Sequence, residues 1–257
     1  MNIKKEKQIA VLAAKTVSKT LLKYFEKKND VKVKANYSLV GQADLEANEI
    51  IVSILKKNFP SHSMITEEAA PSMKKSDFTW HIDPLDGTHN FLYGLPFWGT
   101  SIALAYKNEA VLGVIYLPIF DMMITAEKGK GAYINGKRIS TENKRAFKKM
   151  LLFFEFTYKG RGKKVNFLKQ FIGQRVDLRN FGCAVYHLML VAVGKADGYM
   201  IFYTNSWDIA AGFLIVEEAG GKVTDFKGKK WSLEGRQFVA SNGKVHNELL
   251  RYTTGYK

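Results

Sequence analysis

Between Asp83 and Thr88 the chain reads Asp-Pro-Leu-Asp-Gly-Thr, directly behind the apolar run Phe78-Thr79-Trp80-His81-Ile82. A run this apolar reads as a buried strand aimed into the protein, so the turn that follows lies at the end of a core strand. Pro84 fixes its own φ and predicts that the strand cannot simply continue. Gly87 permits a sharp turn, so Asp83 and Asp86 can converge. The Leu85 carbonyl points at the same spot, and the amides of Gly87 and Thr88 face an anion as helix N-termini do. Hard oxygen ligands beside an anion cradle suggest magnesium. The same residue types also build ordinary surface turns. Against that reading, carboxylates at strand ends of an α/β protein stand where ligands bind, in the crevice beyond the carboxyl edge of the sheet. One turn-rich segment upstream lie two further adjacent acids, Glu67 and Glu68.

A distant acid belongs to the same argument. Trp207-Asp208-Ile209-Ala210-Ala211-Gly212 opens a helical run through Val216, with Asn205 or Ser206 placed to cap it. Asp208 then lies in a first helical turn, where it complements the helix dipole whatever else it does. Ala210, Ala211 and Gly212 would let this helix press closely against a neighbour.

The apolar spacing organises the rest. Ile9, Leu12, Ala13, Val17, Leu21 and Phe25 recur at helical intervals, and a second helix is predicted from about Ala43 to Phe59. Extended segments follow at Trp98 to Tyr106, Ala110 to Leu117 and Met122 to Glu127, then a hairpin at Asn135-Gly136, a type I′ signal; together they predict an antiparallel meander. Beyond about Thr141 strands alternate with helices. The strands are expected at Met150 to Phe156, Val176 to Phe181, Tyr199 to Tyr203, Lys222 to Asp225 and Phe238 to Ala240. The helices are expected near Asn166, from Cys183 to Val193 and from Asp208 to Ala219. This alternation signals an α/β lobe.

At 257 residues, 46% hydrophobic and 13% aromatic, the chain can bury a large core and stands far from disorder. A single cysteine, Cys183, excludes an internal disulfide framework and a cysteine zinc site. With no secretion signal or long apolar span to read, a cytoplasmic location is expected, with no membrane role. The net charge of +15 raises nucleic-acid binding as a function. The lysines are scattered, however, in pairs such as Lys27-Lys28, Lys56-Lys57, Lys74-Lys75 and Lys148-Lys149. The densest cluster, Lys159 to Lys164, reads as a loop without interleaved aromatics, so most of these charges are expected on solvated faces. The field would also draw small phosphate esters toward an acidic pocket.

These blocks, taken together, resemble the inositol monophosphatase family, the magnesium-dependent, lithium-sensitive phosphatases that include fructose-1,6-bisphosphatases and nucleotide 3′-phosphatases. The resemblance rests on Gln42-Ala43-Asp44, Glu67-Glu68, the block DPLDGTHNF from Asp83 to Phe91, WDIAAG from Trp207 to Gly212, and Glu217-Glu218-Ala219-Gly220-Gly221. It implies an α/β (α+β) fold, a layered α-β-α-β-α sandwich of the sugar phosphatase type. That fold would form a single catalytic domain with an N-terminal α+β lobe over about 1–142 and a C-terminal α/β lobe over about 143–257. A homodimer is also implied. The implied reaction is hydrolysis of a small phosphate monoester by a metal-activated water, with about two or three magnesium ions per active site.

By the same resemblance, Glu67, Asp83 and the Leu85 carbonyl hold one magnesium, and Asp83, Asp86 and Asp208 hold a second about 4 Å away. Carboxylates this close raise each other's pKa and call for cations of their own. The water's proton passes through Thr88, whose hydroxyl pairs with Asp44; an acid there also suits a helix N-terminus, but its position and the family match favour the catalytic role. Glu68 either holds a third magnesium through water or is merely solvated. Gly87 and Thr88 amides cradle the phosphate, Cys183 and Ala184 line the substrate cleft, and Arg179 either reaches a second phosphate or caps local charge. Animal members carry a substrate-binding glutamate at a place that falls here near Ile201. Many relatives also have Asp and Thr where this chain has Ser38 and Gly41, so a loop around Lys34 that helps close the site is expected to behave differently. Inositol 1-phosphate therefore leads a substrate group of sugar and polyol phosphates. Fructose-1,6-bisphosphate and nucleotide 3′-phosphates of the PAP or NADP type are the alternatives in this fold. A basic nucleic-acid or transcription-complex binder is the alternative of another class.

Overall fold

The computed structural model describes residues 1–25, 31–33, 39–142, 149–157, 160–254 and 256. Lys27, Lys28, Lys34, Ser38, Lys148 and Lys159 lie outside the described residues, and with them the expectations placed on the loop around Lys34.

Two helices open the chain, α1 (Lys4–Tyr24) and α2 (Gln42–Asn58), with an antiparallel ribbon of β1 (Val31–Val33) and β2 (Leu39–Gly41) between them. A seven-stranded sheet follows in chain order: β3 (Ser63–Thr66), β4 (Phe78–Asp86), β5 (Gly99–Tyr106), β6 (Glu109–Leu117), β7 (Met122–Glu127), β8 (Gly131–Ile134) and β9 (Lys137–Arg138). A short helix, α3 (Thr88–Leu92), separates β4 from β5. The pairs from β4 to β9 are all antiparallel, as the meander predicts, and β3 joins parallel to β4. Asn135 and Gly136 both take positive φ between β8 and β9, the backbone of a type I′ turn.

The second half alternates β10 (Met150–Phe154), α4 (Arg161–Leu168), β11 (Val176–Arg179), α5 (Ala184–Ala192), β12 (Gly198–Ile201), α6 (Ser206–Glu218), β13 (Lys222–Asp225), β14 (Phe238–Ser241) and α7 (His246–Thr253). Its sheet is ordered β11-β10-β12-β14-β13, with β10 parallel to both neighbours and β14 antiparallel to both of its own. Among the described residues, no helix is long and apolar enough to cross a membrane.

Strand alternation builds the layers, because successive side chains point to opposite faces. In β4, β5 and β6, Trp80, Ile82, Ile102, Leu104, Leu112 and Val114 pack with Ala13, Val17, Leu21, Ile51 and Leu55 of α1 and α2. Their neighbours Ala103, Ala105 and Ile115 face the other way, into a core with α5 and α6. The smaller sheet repeats the device. Phe153, Tyr199, Ile201 and Ala240 share that central core, while Leu152, Met200 and Val239 turn toward Phe167 and Leu249 of α4 and α7. The result is the layered α-β-α-β-α arrangement, and each fully buried Leu, Ile or Phe contributes about 1.5–3 kcal/mol to it.

Three expectations need correction. Pro84 does not end its strand: β4 runs on to Asp86, and the pairing with β5 slips there, Asp83 facing Ser101 but Asp86 facing Gly99. Pro84 and Leu85 thus oppose Thr100 alone, a β-bulge, which is where a sheet tolerates a residue that cannot donate. Next, the basic cluster is not all loop: from Arg161 it forms α4, and Lys164 is 1% exposed. Finally, α6 begins at Ser206 rather than Asp208, β10 stops at Phe154 and β11 at Arg179.

Candidate active site

The bulge decides where the acids go. In a regular strand residues three apart face opposite ways, but the extra residue restores the phase. Leu85 accordingly falls into the same core as Ile82, which leaves Asp83 and Asp86 both on the face away from it. Asp83 is 1% exposed, and its Oδ1 accepts the Leu85 amide at 3.0 Å, which fixes the side chain within the bulge. Gly87 then turns the chain with φ +87°. A Cβ there would lie 2.6 Å from the Phe97 carbonyl oxygen, so the position needs glycine for both conformation and space.

β3 delivers Glu67, since it runs parallel to β4 and the Glu67 amide donates to the Ile82 carbonyl at 3.2 Å. α6 delivers Asp208. Its Oδ2 accepts the Asn205 amide at 2.7 Å and the Thr204 hydroxyl at 2.9 Å, so Asn205, not Ser206, is the capping residue. The helix is held tight against the large sheet: a Cβ on Gly113 would come within 2.7 Å of the Ala211 carbonyl oxygen. Gly212 abuts Leu188 of α5 in the same way, which is what the small residues after Asp208 permit. At the start of α6, Ser206 Oγ lies 2.8 Å from Nδ1 of His81, which burial keeps neutral by lowering its pKa to about 4.

One carboxylate oxygen each from Glu67, Asp83 and Asp208 lies within 4.8 Å of the other two. Asp86 stands beside them, its Oδ2 accepting the Val185 amide at 2.6 Å and the Cys183 thiol at 3.2 Å. Burial, then Glu67, Asp86 and Asp208, push Asp83 well above the usual carboxylate range. Burial raises Asp86 to about 7 against the opposing hydrogen bond from Val185, and raises Asp208 to about 6 against those from Asn205 and Thr204. Burial, aided by Asp86, likewise holds the Cys183 thiol protonated. Acceptor-only oxygens crowded and buried in this way fit a hard divalent cation, which would let all of them stay ionised.

Around Asp86 and Asp208 a cavity of about 240 Å³ opens between the two sheets. Cys183 and Ala184 line it, as the sequence predicts. So does Ile201, together with Glu155, Thr157, Asn180, Tyr199, Tyr203 and Thr204, none of which a motif marks. Thr88 Oγ1 donates to the Leu85 carbonyl at 3.0 Å and lies 3.4 Å from Asp44 Oδ2, so the shorter contact is not the expected one. Glu68 stays half-buried outside the three-carboxylate cluster. Arg179 is exposed, donates to the Leu178 carbonyl at 2.8 Å and is not among the residues lining the cavity.

A layered α/β sandwich with buried carboxylates converging at strand and helix ends is the class these observations define. The chain belongs to the inositol monophosphatase family, whose sequence profile matches residues 3–255. It is 39% identical over 248 residues to the Nus factor SuhB of Pasteurella multocida, covering 94% of this chain and 93% of the relative. It is 34% identical over 241 residues to the fructose-1,6-bisphosphatase/inositol-1-monophosphatase of Thermotoga maritima, covering 91% and 90%. Among solved structures, the extragenic suppressor protein SuhB of Bartonella henselae superposes with a TM-score of 0.90 at 34% identity, covering 96% of this chain and 98% of that one.

Proposed function

We propose that this protein is a divalent-cation-dependent phosphomonoesterase that hydrolyses a small polyol or sugar phosphate, with inositol 1-phosphate its leading substrate. The observation that carries this reading is the meeting of Glu67, Asp83 and Asp208 within 4.8 Å in a chain of this family. Glu67, Asp83 and the Leu85 carbonyl would hold one magnesium ion; Asp83, Asp86 and Asp208 would hold another, and Glu68 a third through water. Such cations, when bound, neutralise phosphoryl oxygens, activate a water and ease the departure of the alkoxide.

The chain's own groups do the rest. Glu67 orients the attacking water, and Thr88 takes up its proton and relays it to Asp44. The Thr88 hydroxyl donates to the Leu85 carbonyl at 3.0 Å and lies 3.4 Å from Asp44 Oδ2, so the relay would need it to turn from the first acceptor to the second. Gly87 and Thr88 amides hold the phosphate against the acids. Cys183 and Ala184 bound the space for the alcohol. Arg179 keeps a local role, given its bond to Leu178. We also assign a homodimer and a cytoplasmic site of action to the protein.

A phosphate-release panel covering inositol 1-phosphate, fructose-1,6-bisphosphate and a nucleotide 3′-phosphate tests the reading. Magnesium-dependent, lithium-inhibited release with inositol 1-phosphate ranked first by kcat/KM is expected; no magnesium-dependent release from any of them would refute it. Relatives named Nus factor, together with the net charge of +15, support a second reading as a partner of a transcription complex. RNA binding that falls with salt and survives Asp86→Asn would favour that role, whereas the phosphatase reading expects no micromolar binding at physiological salt.

A further inference from the structure

Past the end of β10 the chain carries Glu155 into the cavity wall. Its amide donates to the Met200 carbonyl at 2.9 Å, which continues the pairing of Phe154 with Met200 and sets Glu155 beside the apolar Ile201. Both residues line the cavity that also holds Asp86 and Asp208. Glu155 is 8% exposed, and its two oxygens are used unequally. Oε1 accepts the Thr157 amide at 2.5 Å and the Lys164 ammonium at 2.7 Å. Among the described residues no donor reaches Oε2, which is buried.

Lys164 explains how so buried an acid is held. It is 1% exposed, its Nζ also lies 3.0 Å from Thr157 Oγ1, and it stands over the ring of Phe202 at 5.9 Å. A buried ion pair of this kind costs desolvation and is a weak source of stability. What it does provide is orientation: with Oε1 pinned by two donors, Oε2 is the oxygen left without one in a residue that lines the cavity. Buried carboxylate oxygens find donors in folded proteins, so an unsatisfied one beside a ligand cavity points to a donor brought by the ligand.

We propose that Glu155 is a specificity-determining residue, its Oε2 accepting a hydrogen bond from a hydroxyl of the departing alcohol. This deepens, and rests on, the phosphatase reading above. A carboxylate cannot donate, so a second phosphate at that place would meet acceptor with acceptor. The site therefore selects monoesters of neutral polyols and discriminates against bisphosphates seated the same way. The same logic makes a hydroxyl-reading site reject an analogue that lacks the hydroxyl, because the buried acceptor is then left unpaired.

The test compares inositol 1-phosphate with cyclohexyl phosphate, the same ring without hydroxyls, in the magnesium-loaded enzyme and in Glu155→Gln. Because Thr157 and Lys164 both donate at Oε1, the glutamine must turn its carbonyl to them, which places its NH₂ where Oε2 was and converts an acceptor into a donor. The preference for inositol 1-phosphate, read as a ratio of kcat/KM values, should fall by roughly tenfold to a hundredfold, the size of one charged hydrogen bond, while turnover of cyclohexyl phosphate stays within about threefold. Should the single variant leave Lys164 too costly to fold, Glu155→Gln with Lys164→Met removes both charges and is expected to show the same collapse. A preference that persists in the folded variants, equal losses on both substrates, or a wild-type enzyme indifferent to the hydroxyls would each overturn the proposal. Release from neither substrate by the wild-type enzyme would overturn it too, and release from no member of the panel above would overturn the phosphatase reading beneath it.

Discussion

Asp86 shows how one side chain can be both scaffold and chemistry. Its Oδ2 secures the start of α5 through the Val185 amide, and burial raises its pKa to about 7. An asparagine keeps an acceptor for that amide and sheds the buried charge. Asp86→Asn should therefore fold with its melting temperature unchanged or raised while phosphate release falls by at least about a hundredfold, which a malachite-green assay beside a thermal scan would check. Full activity in that variant would contradict the assigned site. The elevated pKa values carry a second prediction. Asp86 and Asp208 bind protons more tightly in the metal-free folded state, at about 7 and about 6, than in the unfolded chain. The stability they lend is complete below about pH 4, the unfolded carboxylate range, and is lost as pH rises through about 6 and 7. His81 acts in the opposite sense: its pKa of about 4 makes its contribution fade as pH falls below 6.5. Comparing thermal unfolding with and without magnesium at each pH separates the two, because only the carboxylates compete with the metal. Magnesium should raise the melting temperature more at pH 8 than at pH 5.5, with protons released on binding; a pH-independent shift would exclude these acids as ligands.

At the scale of the element, α6 is the part on which the site depends most. Its glycine- and alanine-rich turn lets it touch β6 so closely that Gly113 has no room for a side chain. Gly113→Ala should push the helix outward, cost about 1–3 kcal/mol and displace Asp208 from Asp83 and Glu67. A lower melting point together with weaker magnesium activation is expected, and a variant that loses stability but keeps normal magnesium dependence would show that the contact is only structural. Much of this architecture was legible in the sequence. Long periodic segments mark α1, α2, the meander and α6, with the ends of α2 within about one residue and those of α6 within about two, because apolar spacing is strongest where an element is long and buried on one face. β3 and α7 escaped notice because a four-residue strand and a short terminal helix offer too few periods. The bulge at Pro84 is not legible in the sequence for a physical reason: proline argues against strand locally, yet the register of β5 continues on both sides of it. Glu155 and Lys164 were invisible as a pair, since a single acid after an apolar strand and one lysine in a basic run carry no mark of burial.

The whole molecule is organised around a shared middle layer. Residues of α5 and α6 pack in one core with strands of both sheets, so each sheet shares its inner hydrophobic layer with the other, while the outer layers against α1 and α2 and against α4 and α7 stay separate. We propose a single catalytic domain in which the lobes over about 1–142 and 143–257 unfold together. Thermal denaturation should then give one transition, coincident by circular dichroism and by loss of magnesium-dependent activity, and two separated transitions would argue for independent lobes. The same arrangement explains why the acids are scattered in sequence: Glu67, Asp83 and Asp86 come from the first sheet, and Asp208 from the helix that binds the second sheet to it. The central claim is that these groups form one divalent-cation site. Anomalous diffraction from crystals soaked in manganese tests it most directly. Peaks enclosed by Glu67, Asp83, Asp86 and Asp208, and absent from crystals of Asp86→Asn at the position nearest that residue, are the predicted result; manganese bound elsewhere, with these carboxylates left without a cation, would contradict it.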